Sequence, residues 1–77
     1  MVVYENLVNS VKDYNSLAEK HNIKSRLMWK HDTKELVLGT KEQFEANVYE
    51  CCIAKSINSA LVITKAFIMS ECFERGE

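Results

Sequence analysis

Fifteen residues near the end of the chain, Ser59–Phe73 (SALVITKAFIMSECF), leave little choice about what the rest must do. No glycine or proline interrupts them. At about 100° per residue, Thr64 and Glu71, with Arg75 beyond, form one narrow polar stripe, and almost all of the remaining circumference is apolar. A surface helix usually shows an apolar arc of about a third of its circumference. One that is apolar nearly all round has to be covered nearly all round. A chain of 77 residues is a single domain, 1–77, and buries only about 60–65% of the surface its unfolded form exposes. It offers this helix few partners of its own. The economical cover is a second copy of the chain about a two-fold axis, because an open face of Leu, Ile, Met and Phe would exceed the patch a monomer tolerates. The expected interface is Leu61, Phe67, Ile68, Met69 and Cys72.

The other end of the chain reads as an amphipathic helix over Val3–His21. Tyr4, Leu7, Val8, Val11, Tyr14, Leu17 and Ala18 recur at helical spacing. Glu5 suits its positive end, and Lys20 and His21 its negative end. Asn22 followed by Ile23 reads as a left-handed stop with an apolar contact after it. Next, Arg26–His31 alternates, with Leu27, Trp29 and His31 on one side and Arg26, Met28 and Lys30 on the other. Glu35–Leu38 alternates again after the polar turn Asp32-Thr33-Lys34, so a β-hairpin is expected. Two strands alone are not stable in water, so the hairpin must pack on helices or pair with another chain.

Gly39 is read as the bend out of the second strand. Thr40 and Gln43 then fit a capping box opening a helix at Lys41. The run to about Phe73 is read as one long helix, or as two broken at the polar Lys55–Ser59, with the break preferred. The fold expected is therefore α+β: helix, β-hairpin, then one or two C-terminal helices, dimeric through the last.

Chemistry is scarce. Cys51 and Cys52 are adjacent, and on a helix they diverge by about 100°, unlike the spaced ligands of a zinc site. With Cys72 they are read as small buried hydrophobes. His21 is assigned to the helix terminus and His31 to the exposed turn. The pairs Glu42/Glu45 and Glu71/Glu74 are placed on solvent faces, and no Gly-rich phosphate loop exists. So short a chain has little room for a substrate pocket. No catalytic residue, metal or cofactor is expected, and the protein is read as not an enzyme. The first ten residues carry neither a basic start nor an apolar signal core, no window is long and apolar enough for a membrane span, and a cytoplasmic setting is expected.

Charge is distributed unevenly. Residues 20–34 hold Lys20, Lys24, Arg26, Lys30 and Lys34 against Asp32, a net of +4. The remaining residues net −5, for −1 overall. The basic hairpin, through Lys24, Arg26, Lys30, His31 and Lys34, is the expected contact for a protein partner with an acidic surface. One mode is β-augmentation along Arg26–His31. A nucleic-acid-binding regulator using the same hairpin is the alternative, disfavoured by a pI of about 6.1. The function expected is that of a small regulator or inhibitor that acts by occupying a partner as a homodimer. Lys-, Asn- and Glu-rich usage points to an AT-rich bacterial or phage genome.

Overall fold

The structure, a computed structural model, describes residues 2–75, with side chains for 2–73. Helix α1 spans Val2–Lys20. Strands β1 (Ser25–Lys30) and β2 (Glu35–Thr40) follow, then a short helix α2 (Lys41–Glu45), strand β3 (Cys51–Ala54) and helix α3 (Ile57–Arg75). The three strands form one antiparallel sheet in the order β1-β2-β3. Helix α1 lies against β1 and α3, and α3 against β3 and β2, so the two long helices share one face of the sheet. The α+β class and the helix–hairpin start are as the sequence indicates.

Helix α1 buries Leu7, Ser10, Val11, Tyr14 and Ala18. It stops where expected. Asn22 adopts φ 60, Ile23 N–H donates to the Ala18 carbonyl at 2.8 Å, and Asn22 N–H to that of Glu19 at 3.1 Å. These two bonds satisfy carbonyls that a helix end otherwise leaves open. In the hairpin, Leu27 pairs Leu38 and Trp29 pairs Leu36. Lys34 at φ 58 closes the turn. Leu27, Leu36, Ala54 and Ala60 complete the core begun by α1, and Tyr14 meets Phe67 edge-on at 5.6 Å between ring centroids.

The sheet's second face carries Met28, Val37 and Cys52 in register. Helix α2 packs on β2, and Val37 is fully buried. The glycine at 39 lies inside β2 rather than at a bend. Its role is close approach, since a Cβ there would meet Phe44 Cε1 at 2.9 Å and Gln43 Oε1 at 3.0 Å.

The segment after Thr40 departs from the expected helix. The capping box forms, with Gln43 N–H donating to Thr40 Oγ1 at 3.1 Å and Thr40 N–H to Gln43 Oε1 at 2.8 Å. Yet α2 ends after five residues. Asn47 takes φ 63, Val48 N–H returns to the Gln43 carbonyl at 2.9 Å, and Asn47 N–H to that of Phe44 at 3.0 Å. This is the same stop as at Asn22-Ile23. The chain then adds β3 to the hairpin, with Val37 opposite Cys52, Leu38 opposite Cys51 and a bulge between Leu36 and Val37. A third strand supplies what a lone hairpin lacks. The break in Lys55–Ser59 is real but starts α3, with Ser56 as its cap: Ser59 N–H reaches Ser56 Oγ at 3.2 Å. The cysteines are not core residues. Cys51 is exposed, Cys52 and Cys72 are half-buried, and all three are free.

The solvent-face placement read for Glu71 is not what helix α3 shows. Its polar side faces inward: Thr64 is fully buried, and the Glu71 side chain, 12% exposed, pairs with His21 Nδ1 at 3.1 Å. Val62, Met69 and Phe73 face solvent. No helix among the described residues is long and apolar enough to cross a membrane.

Thr64 Oγ1 is buried with no hydrogen-bond partner, and a buried unsatisfied hydroxyl costs about 1–3 kcal/mol. The near-isosteric Thr64→Val chain is expected to gain about 1 kcal/mol in urea unfolding. A loss of that size would show that the hydroxyl is bonded. Tyr14 is held above its ordinary 10.0 by burial first and the Glu71 carboxylate second, with Arg26 opposing. The folded chain thus keeps the phenol proton to higher pH than the unfolded chain. That contribution is complete below about pH 10 and is lost as pH rises through the folded-state value. Urea midpoints should fall above about pH 10, and Tyr14→Phe should flatten the fall. An equal fall in both chains would contradict the assignment.

Candidate functional site

β1 is an edge strand, and one side of its backbone faces away from β2. Asn15, on the middle of α1, reaches that edge. Its Nδ2 donates to the Leu27 carbonyl and its Oδ1 accepts from Leu27 N–H, both at 2.9 Å. A side-chain amide here does what a neighbouring strand would do. Strand alternation turns the N–H and C=O of Ser25 and Trp29 the same way. Open edges of this kind recruit other chains, and proteins commonly cover or charge them.

A groove runs along the edge. Its apolar part, about 410 Å3, is lined by Tyr4, Val8 and Val11 of α1, Leu27 to Trp29 of β1, and Phe44 of α2. Its charged part, about 620 Å3, is lined by Lys12, Arg26 and Lys41 with Glu19 and Glu45. Lys12, Asn15 and Phe44 line both, so the two are continuous. The groove wraps the strand edge from the α1 side of the sheet to the Phe44 side. Its size exceeds what so short a chain leads one to expect, because the space lies open between α1 and α2 rather than inside the core.

The five basic positions of the hairpin are not one surface. Arg26 enters the groove, while its guanidinium Nη1 donates to the carbonyls of Ile23 and, at 2.9 Å, of Ser25. Lys24 borders a neighbouring hollow with Arg26 and Lys41. Lys30 lies on the second face, its Nζ 5.3 Å from the Tyr49 ring centroid. His31 and Lys34 belong to the turn. There the Trp29 indole N–H donates to His31 Nδ1 at 3.1 Å, Lys34 Nζ sits 3.1 Å from His31 Nε2, and Tyr4 contacts the His31 ring at 4.5 Å. Trp29 is thus half-buried, bonded to His31 through its indole N–H and part of the groove lining. Lys12, Asn15, Lys41 and Phe44 were not singled out in the sequence. Lys12 and Asn15 look like ordinary solvent-side residues of α1, and nothing in the pattern says which strand edge they overhang.

Of the expected interface residues, Leu61, Phe67 and Ile68 pack against this chain's own core. Cys72 is half-buried and Met69 is exposed. Among the described residues no three histidines, cysteines or carboxylates gather as a metal site would require. No family model matches the chain, and no curated protein or solved structure matches it.

Proposed function

We propose that this chain is a non-enzymatic interaction protein, a regulator or inhibitor, that takes an extended acidic segment of a partner protein along the free edge of β1. The observation that carries the reading is the groove around that edge, with Asn15 holding the strand position that a partner would fill. Main-chain pairing at Ser25, Leu27 and Trp29 would supply affinity, and the flanking side chains would supply selectivity. Apolar residues of the segment match Tyr4, Val8, Val11 and Phe44, and its carboxylates match Lys12, Arg26 and Lys41. The protein works as a homodimer, which presents two such grooves. Mixed charge in the groove argues for a polypeptide over a polyanion such as nucleic acid, whose modules are basic as a whole.

The test uses an end-blocked octapeptide of alternating glutamate and valine, read by Trp29 fluorescence. Saturable binding that is lost when a proline replaces one of the two inner valines is expected, since proline cannot donate to the ladder. Equal binding of both peptides, or stronger and steeply salt-dependent binding of a DNA duplex, would overturn the reading.

A further inference from the structure

The homodimer in the reading above needs a face, and the structure offers one that the core leaves bare. Along the outer side of α3 lie Ser59, Val62, Ala66, Met69 and Phe73, all exposed. Val62 is 68% exposed, Met69 70% and Phe73 89%. Their spacing is three, four, three, four, the repeat with which two helices seat side chains between each other. No charged residue interrupts it. The stripe is about 21 Å long at 1.5 Å per residue.

The stripe is also complementary to itself. Small residues occupy its start and middle, Ser59 and Ala66, and large ones its end, Met69 and Phe73. A hollow of about 320 Å3 is lined by Asn58, Ser59, Val62 and Ile63. Ser59 lies seven residues before Ala66, and Phe73 lies seven after it. We infer that two copies pair their α3 helices antiparallel about a two-fold axis at Ala66, so that Phe73 of each fills the hollow at Ser59 and Val62 of the other. Met69 of each then meets Val62 of its mate, and the two Ala66 residues let the helices approach closely. This is an isologous contact, in which one patch serves both subunits. Lys65 of each copy flanks the axis, a like-charge pair that salt screens. A seam of five side chains per copy is small beside a standard interface of roughly 800 Å2 per partner, so dissociation in the micromolar range is expected.

Sedimentation equilibrium of the full chain tests this. A species near twice 8.9 kDa is expected. Met69→Glu, at a site exposed in the single chain, should raise the dissociation constant at least about a hundredfold, because two charges are buried unpaired, while leaving the urea midpoint of the separated chain unchanged. With Cys51, Cys52 and Cys72 replaced by serine, a mixture of Val62→Cys and Met69→Cys chains should form the mixed disulfide in preference to either symmetric one. Three results would overturn the inference. A monomer at millimolar concentration removes this interface and the homodimer together, leaving the β1 groove to be judged by its own peptide test. A dimer indifferent to Met69→Glu removes this interface and keeps the homodimer. Symmetric disulfides only would show the helices to be parallel.

Discussion

A chain carrying Leu36→Ala is expected to lose about 3–5 kcal/mol of folding stability, a large part of what so short a domain holds. Leu36 is fully buried in the central strand, opposite Trp29 on one side and Ala54 on the other, within the cluster to which both long helices contribute. Removing such a side chain takes away its transfer free energy and leaves a cavity, together about 3–5 kcal/mol. At about 0.05–0.15 kcal/mol per residue, a domain of this length holds roughly 4–12 kcal/mol in all. The loss takes from about a quarter to all of that, and the far-ultraviolet circular dichroism should show a strongly lowered or lost thermal transition. An unchanged midpoint would mean that the three-stranded sheet is not the centre of the core.

Asn15→Ala is expected to move two properties in opposite directions. The free protein should lose about 1–3 kcal/mol, because Leu27 N–H and C=O forfeit their partners on a half-buried edge. Binding of the glutamate–valine octapeptide should strengthen by about tenfold, the equivalent of the roughly 1.4 kcal/mol no longer spent displacing the amide. Urea unfolding and Trp29 fluorescence read the two separately. A residue with only a structural role would weaken both, so a parallel loss would remove Asn15 from the binding account.

Much of the framework was legible. The stop at Asn22-Ile23, the hairpin and its polar turn, the Thr40–Gln43 box and the interruption at Lys55–Ser59 are local signals. Each depends on residues within a few positions of one another. The third strand was missed even though its marker was present. Asn47-Val48 repeats Asn22-Ile23, and the two bend the chain through the same pair of hydrogen bonds. The absence of glycine and proline favours a continuous helix through Cys51 and Cys52, but the left-handed preference of asparagine at Asn47 outweighs it and frees the chain to enter β3.

The rest depends on tertiary arrangement. The apolar excess of α3 was visible, but which side the core would take was not. The buried side of the helix carries Thr64 and Glu71, and Glu71 meets His21 at the end of α1, an approach across 50 positions. Leu61, Phe67 and Ile68 flank it and pack on the core, while Val62, Ala66, Met69 and Phe73 lie outside. The groove likewise joins α1, β1 and α2, and no sequence period reports such a meeting. Only Arg26 and, at its margin, Lys24 connect it to the basic segment that charge counting picked out.

If the outward edge of β1 receives an extended polypeptide, backbone amide NMR of the full chain with the glutamate–valine octapeptide should show shifts at the amides of Ser25, Leu27 and Trp29 and at Lys12, Asn15 and Phe44, with slowed hydrogen exchange at Trp29 N–H on saturation. Shifts confined to the turn at His31–Lys34, or none at millimolar peptide, would contradict it.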